Sequence, residues 1–137
     1  LEESYYRLFL EAQTYRESCY QCPYASPLRP GDLSIGDFWG IREQHPELFD
    51  GTETVFDDDL GVSSLIVNTQ KGKRYLEEHA GDFNLRRSTY EKASTNNKQL
   101  LRPVERTHQR EEILNAYHHG GYESVSQWFA ETYKKVL

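Results

Sequence analysis

The chain has 137 residues, of which 36% are hydrophobic and 28% charged, a composition typical of one globular domain with its own core. Its 16 Lys and Arg against 22 Asp and Glu give a formal net charge of −6, and no basic stripe follows any predicted helix, which argues against a nucleic-acid surface. No stretch approaches the roughly 20 consecutive apolar residues of a membrane span, and no signal-peptide pattern is visible. We therefore expect a cytoplasmic protein that binds neither nucleic acid nor membrane.

Residues 2–13 are predicted to form an amphipathic helix, because apolar side chains recur at i, i+3, i+4 and i+7. The residues of this apolar face are Tyr5, Leu8, Phe9 and Ala12. Because the chain opens inside this pattern and contains no methionine, even at position 1, we expect an excised or processed piece of a longer protein. Several prolines then predict an irregular loop over residues 18–31, since proline removes backbone donors and fixes φ.

The middle of the chain predicts two short strands separated by turns. Residues 32–35 alternate apolar and polar side chains and end at Gly36, while residues 63–68 form a continuous apolar run that predicts a strand buried on both faces. Between them we expect a helical turn on either side of Pro46. A loop should follow over residues 51–61, marked by Asp57, Asp58 and Asp59.

A helix is predicted from the N-cap Thr69 to about residue 80, ending at Gly81. Residues 83–88 suit a further strand, after which Ser88 and Glu91 stand at capping-box spacing before a short helix. The polar, aperiodic stretch that follows, residues 94–107, predicts a connecting loop.

Two helices are predicted to close the chain on either side of Gly120 and Gly121, over residues 107–118 and 124–136. Ser124 and Gln127 stand at capping-box spacing at the start of the second helix. The side chains expected to face inward are Ile113, Leu114, Tyr117, Val125, Trp128, Phe129 and Val136. The sequence thus predicts an α/β or α+β fold, with a small sheet covered by helices and two C-terminal helices. We expect a single domain 1–137, made of a motif-bearing region 1–92, a connecting loop 93–106 and a helical pair 107–137.

Cys19 and Cys22 are the strongest chemical signal, because a C-x-x-C spacing on a tight loop lets two thiolates point to one centre. Such a pair suits iron–sulfur or zinc ligation. Either metal takes about four ligands, so the others must come from chain outside this sequence, from a second copy or from histidine. The alternatives are free or disulfide-linked thiols without catalytic meaning and a thioredoxin-like dithiol. The dithiol fits poorly, since Pro23 and later prolines prevent the helix that such a motif opens.

Two further stretches are candidates for cofactor binding. The turn formed by Gly36, Asp37, Phe38, Trp39 and Gly40 offers glycines for close backbone approach, an acceptor for ribose or ribityl hydroxyls, and an indole for stacking. Its alternative is a sharp turn with two aromatics in the core. In the second stretch, Lys71, Gly72 and Lys73 lie at a helix N-terminus, where backbone N–H groups and lysines can hold phosphate. No glycine-rich nucleotide motif accompanies them, so a solvated surface is the alternative.

The stretches RESCYQCPYA, DLSIGDFWGI and DDDLGVSSLIVNTQKGK, within about residues 4–80, resemble the C-terminal region of the coenzyme F-420 hydrogenase/dehydrogenase beta subunit family. The resemblance implies a flavin and iron–sulfur oxidoreductase, in which electrons pass between FAD, a four-iron four-sulfur (4Fe-4S) cluster and a redox partner. It implies that Cys19 and Cys22 supply half of a cluster site and that the turn Gly36 to Gly40 lies near the flavin or the cluster.

The resemblance also implies partners. These are a missing N-terminal part with ferredoxin-like cysteines, and a redox partner such as ferredoxin or a deazaflavin coenzyme. For this chain alone we expect no bound flavin or cluster and little activity. A different class stays open, a non-catalytic binding or scaffold domain whose cysteine pair is structural or closes a zinc site between two copies.

Overall fold

The computed structural model describes residues 3–49, 56 and 60–133, and it has the predicted α+β class. The helices and strands are α1 (Ser4–Leu10), β1 (Leu33–Asp37), α2 (Ile41–Gln44), β2 (Ser63–Val67), α3 (Gln70–Glu78), α4 (Tyr90–Thr95) and α5 (Gln109–Tyr133). Short 3₁₀ turns lie at Glu17–Gln21, Pro46–Leu48, Ala80–Asp82 and Lys98–Leu100.

The chain divides into two compact units. The terminal unit comprises Leu1–Cys22 and Val104–Leu137, and the central unit comprises Pro23–Pro103. Each unit has its own small core of buried side chains. Length and composition predict one domain. They give the number of apolar residues, but they do not show whether those residues form one core or two.

The terminal unit packs α1 against α5. Leu8 is 1% exposed and lies against Ile113 and Val125, with partly buried side chains of α5 around them. Tyr5 and Phe9 were predicted to face inward, but they are 55% and 44% exposed. The reason is that α1 has only two turns, and the side chains that it buries against α5 are Leu8 and the residue one turn before it. That residue is Ser4, whose hydroxyl is hydrogen-bonded to the hydroxyl of Tyr122 at 2.8 Å.

Helix α5 is interrupted where the sequence predicts the end of one helix and the start of another. Gly120 has φ −153° and ψ 28°, and Gly121 has φ 62° and ψ −154°. A positive φ is strained for any residue with a Cβ, so glycine is the residue that suits this break. The predicted helical pair is therefore confirmed, as two segments of α5.

The inward face predicted for the helical pair is confirmed only in part. Ile113 and Val125 are buried, and Trp128 and Phe129 pack against them. Leu114 and Tyr117 are instead 39% and 57% exposed, because α5 meets a single short helix and buries a narrow stripe. Val136 and the aspartates at 57–59 lie outside the described residues.

The central unit is built on an antiparallel pair of strands in which Leu33 lies opposite Val67 and Ile35 opposite Leu65. Both strands are where the sequence predicts them, and β1 extends through Gly36 to Asp37. Burial of β2 on both faces was wrong, since Val67 is 39% exposed. The sheet formed by the described residues has two strands, so one of its faces is largely uncovered.

The core of the central unit consists of Phe38, Ala93 and Leu100, with Ile41, Ile66 and Tyr90 packed around it. Leu100 is buried although residues 94–107 were predicted as a loop. The end of α4 and a 3₁₀ turn lie within that stretch, and the Tyr90 hydroxyl donates to the Leu100 carbonyl at 2.5 Å.

Some of the turns and helix starts predicted for the central unit are confirmed, and others are wrong. The helical turns on either side of Pro46 are confirmed, as is the N-cap Thr69, whose hydroxyl accepts from the Gly72 N–H at 3.1 Å. Residues 83–88 have no regular structure and are exposed, so the strand predicted there was wrong. The N-cap of α4 is Thr89 and not Ser88, because the Ser88 hydroxyl is engaged by His45. None of the described helices is long and apolar enough to cross a membrane.

Replacing Leu8 with alanine should lower the free energy of unfolding by about 2–5 kcal/mol, because a buried leucine leaves a cavity in a small core. Leu10, on the same helix and 53% exposed, is the matched control, and its replacement should change stability by less than about 0.5 kcal/mol. Urea unfolding followed by circular dichroism measures both. Equal effects of the two substitutions would contradict the packing of α1 on α5.

Candidate functional site

Cys19 and Cys22 lie on one tight turn in the terminal unit. Cys19 is inside the 3₁₀ turn Glu17–Gln21, and Cys22 caps its end. The Cys19 N–H donates to the Arg16 carbonyl at 2.9 Å, and Pro23 follows directly, so the turn does not continue into a helix. Both thiols are free and partly buried. The backbone thus carries two thiol side chains three residues apart, at the middle and at the end of one short turn.

Aromatic and charged contacts on either side of Cys19 hold this turn. The Tyr20 hydroxyl donates to the Ala12 carbonyl at 2.5 Å, and its ring lies under the guanidinium of Arg110, 4.9 Å from the ring centroid. Glu17 is ion-paired with Arg106, and its second carboxylate oxygen lies 3.9 Å from Arg110. The residues immediately before and after Ser18 and Cys19 are therefore fixed to the segment that begins α5.

Arg110 and Gln13 form the buried centre of this anchor. Arg110 is 7% exposed and donates to the Gln13 carbonyl at 3.1 Å. The Gln13 side chain is 5% exposed, donates to Gln109 at 2.8 Å and accepts from Thr107. Sequence reasoning missed these residues, because an arginine and a glutamine in amphipathic segments look like surface positions. The sequence signal that could have indicated a cation beside this turn is the pair Glu17 and Tyr20, which flank Cys19.

The donor set of this turn fits half of a metal site. Two thiols at C-x-x-C spacing suit iron–sulfur or zinc coordination, and partial burial protects such a site from water. Across residues 3–49, 56 and 60–133, no three His, Cys, Asp or Glu side chains come together as a metal-binding group. The pair therefore fits two of the four cysteine positions of a cluster.

The turn from Gly36 to Gly40 lies in the central unit, at the end of β1. The Phe38 N–H donates to the Val62 carbonyl at 2.9 Å, and its ring is buried in the core. Gly40 has φ +76°, and a Cβ there would lie 2.0 Å from the Asn96 amide nitrogen. Core packing thus accounts for Phe38, and backbone conformation accounts for Gly40. Of the two aromatic side chains that the alternative interpretation places in the core, Phe38 is buried there and Trp39 is not.

The other members of this turn are open to a ligand. Trp39 is 55% exposed, and Asp37 is exposed as well. A Cβ on Gly36 would meet no atom within 4 Å, so the space beside it is open. The side chains that fit a flavin are therefore the carboxylate of Asp37 and the indole of Trp39, with Gly36 leaving room beside them. Cofactor binding by this turn stays a prediction.

Lys71 and Gly72 make contacts within the central unit that tie α3 to the start of β1. A Cβ on Gly72 would lie 2.3 Å from the Asp32 carbonyl oxygen, so only glycine allows the two backbones to approach this closely. Lys71 Nζ lies 3.0 Å from one oxygen of the Asp32 carboxylate, and the Thr69 hydroxyl donates to the other at 2.6 Å. The Thr69 hydrogen bond and, after it, Lys71 hold the pKa of Asp32 below its usual value. A phosphate at this position would compete with Asp32 for Lys71.

A buried histidine joins two other parts of the central unit. His45 is 6% exposed, its Nδ1 lies 2.7 Å from a Glu47 carboxylate oxygen, and its Nε2 lies 2.8 Å from the Ser88 hydroxyl. The hydrogen bond with His45 lowers the pKa of Glu47. The order of groups is that of a hydrolase triad, but its clearest effect here is to fasten residues 83–88, which have no helix or strand, to the end of α2.

The candidate residues belong to both units. Cys19 and Cys22 are in the terminal unit, whereas the turn Gly36 to Gly40 and the pair Lys71 and Gly72 are in the central unit. No family model, curated protein or solved structure matches the chain.

Replacing Gly72 with alanine should destabilise the protein by about 1–3 kcal/mol, since the new methyl group meets backbone that cannot move aside as a side chain would. Gly81→Ala is the control, because a Cβ there meets no atom within 4 Å. Thermal and urea unfolding of the two variants measure the difference. A Gly72→Ala protein as stable as the Gly81→Ala protein would show that Asp32 does not lie against Gly72.

The ion pair of Asp32 predicts a pH dependence of stability. Because the folded state lowers the pKa of Asp32 from 3.8, the carboxylate stabilises the fold above that value, and this contribution is lost as the pH falls through the lowered pKa. Asp32→Asn should therefore be less stable than the wild type at pH 6 and equally stable near pH 2. Melting temperatures of both proteins across this range test it. A difference that does not change with pH would contradict the stabilisation of the ionised Asp32 by Thr69 and Lys71.

Proposed function

We propose that this chain is part of a flavin and iron–sulfur oxidoreductase that transfers electrons, with Cys19 and Cys22 as two ligands of a 4Fe-4S cluster. The observation that carries the proposal is the anchored turn, which presents two free, partly buried thiols at C-x-x-C spacing. The resemblance of the surrounding residues to the coenzyme F-420 hydrogenase/dehydrogenase beta subunit family supports it.

The chemistry of the cysteine turn follows from its donors. The two thiolates of this turn would supply two of the four cysteine ligands of a cluster, and both are partly buried. When bound, the cluster supplies one-electron steps and FAD supplies the exchange between one-electron and hydride chemistry. The proposal takes the remaining cluster ligands from further chain or from another subunit.

On the flavin side the proposal assigns contacts to two exposed side chains of the central unit. Asp37 accepts hydrogen bonds from ribityl or ribose hydroxyls, and Trp39 stacks on a flat ring. Both are exposed, and Phe38 between them is anchored in the core, which fixes the backbone that carries them. Lys71 contributes to phosphate binding only where a ligand displaces Asp32 from it.

The proposal places the protein in the cytoplasm, with a ferredoxin or a deazaflavin coenzyme as electron partner. A reducing compartment keeps a C-x-x-C pair available as thiols for a cluster, whereas an oxidising one would favour a disulfide.

The test uses the product of the complete reading frame, purified without oxygen. The wild type should contain iron and acid-labile sulfide and show a broad absorbance near 400 nm that bleaches on reduction with dithionite. Cys19→Ser and Cys22→Ser should each lose most of the iron, because a cluster needs about four thiolates. Ser18→Ala, at an exposed position of the same turn, is the matched control and should keep the iron.

The metal content of the purified protein also distinguishes the redox proposal from the alternative, a non-catalytic scaffold domain. Stoichiometric zinc without flavin absorbance, lost in the cysteine variants, would overturn the redox proposal and favour a structural site in a scaffold domain. Iron that survives both cysteine substitutions would also overturn it, since the cluster would then be held elsewhere in the protein.

A further inference from the structure

The cysteine turn is anchored from both sides by arginines of one neighbouring segment. Glu17 lies two residues before Cys19, and Tyr20 follows it directly. Arg106 pairs with the Glu17 carboxylate and lies 5.7 Å from the Tyr20 ring centroid, while Arg110 lies 4.9 Å from the same centroid. Each arginine therefore contacts the turn at the same two positions.

The two arginines differ in how completely they leave water. Arg106 has a side chain 46% exposed, so its ion pair with Glu17 is screened and contributes little to stability. Arg110 has a side chain 9% exposed, and it binds the Gln13 carbonyl, the Tyr20 ring and, more distantly, Glu17. Its Nε is buried without a hydrogen-bond partner. A buried guanidinium with these contacts favours one position of Tyr20, because displacing the ring removes one of the few partners of a charge that is shielded from water.

Tyr20 is also fixed at its other end. Its hydroxyl donates to the carbonyl of Ala12, which has a positive φ of 59° and lies beside the buried Gln13. The ring is thus held between the backbone after α1 and the guanidinium of Arg110. Because Tyr20 separates Cys19 from Gln21 and Cys22, a fixed Tyr20 also fixes the path of the backbone between the two thiols.

We propose that Arg110, supported by Arg106, is a positioning residue for the cysteine site. It acts through Tyr20 to hold the turn in the conformation that presents both thiols to one metal centre before that centre is bound. This inference rests on the proposed function, in that Cys19 and Cys22 are ligands. It adds that the affinity of the pair for metal depends on a cation that contacts neither the metal nor the thiols.

The contacts predict that lysine cannot replace Arg110. Lysine keeps the charge, but it lacks the planar group that stacks on Tyr20 while donating to Gln13. Partners of this kind typically change metal affinity by about 10–100-fold when they are removed. We therefore expect Arg110→Met and Arg110→Lys both to weaken metal binding by at least about tenfold, with Arg110→Lys the less affected of the two.

The test titrates the metal-free product of the complete reading frame with Cd²⁺ and follows the thiolate-to-cadmium absorbance near 240 nm. Arg7→Met is the matched control, because Arg7 also lies over an aromatic ring, 4.9 Å from the Tyr133 centroid in the same unit, but away from the cysteines. Cys19→Ser defines the affinity that remains without the pair. Circular dichroism verifies that each variant is folded, and Tyr20→Leu, which removes the ring that Arg110 contacts, serves if Arg110→Met is unfolded.

A double variant separates positioning from general destabilisation. If Arg110 acts through Tyr20, then Tyr20→Leu and Arg110→Met should each weaken Cd²⁺ binding, and combining them should weaken it little further. If Arg110→Met, or Tyr20→Leu where Arg110→Met is unfolded, binds Cd²⁺ as tightly as Arg7→Met does, the inference is overturned and the ligand role of the cysteines is left intact. Unchanged affinity in Cys19→Ser would instead overturn the ligand role itself.

Discussion

The position of Tyr20 between a backbone carbonyl and a buried guanidinium is the contact on which the chemistry of the terminal unit depends. Arg110 is almost completely removed from water, and its partners replace only part of the hydration it loses. Such a charge tolerates few arrangements, so it limits the conformations of whatever binds it. Here it binds the turn that carries both cysteines. The terminal unit therefore holds the cysteine turn in one conformation. The side chains that hold it, Arg110, Tyr20 and Gln13, are not themselves candidate metal ligands.

The central unit applies a different constraint, the close approach of backbone to backbone. Gly72 lies against the Asp32 carbonyl, and Gly40 takes a positive φ against Asn96. Both glycines lie in stretches that the sequence predicts to bind a cofactor. At both positions close packing within the protein is sufficient to explain why the residue is glycine. Phe38 is likewise buried. What remains accessible is a smaller set, Asp37 and Trp39, carried on a backbone that these packed residues hold in place.

Local chemistry was sufficient to predict much of the fold. The alternation around Leu33, the apolar run after Val62, the N-cap Thr69 and the break at Gly120 and Gly121 each depend on neighbours within a few residues, and the structure confirms all of them. The failures need partners distant in sequence. Residues 83–88 have strand-like composition but no strand beside them, and Leu100 is buried by contacts with Phe38 that no local pattern contains. The cysteine pair was visible from spacing alone, whereas Arg110 and Gln13 were not, because only the fold buries them.

The terminal unit joins the two ends of the described chain, and this has a consequence for the order in which the protein is made. Ser4 is hydrogen-bonded to a tyrosine 118 positions later, and Leu8 packs against Ile113 and Val125. During synthesis the central unit leaves the ribosome complete, while α1 and the cysteine turn wait for α5. Closing so long a loop costs entropy that only the finished core repays. The two thiols thus emerge from the ribosome well before the α5 segment that fixes their turn. A nascent chain consequently passes through a period in which its cysteines are accessible to metal delivery and oxidants alike.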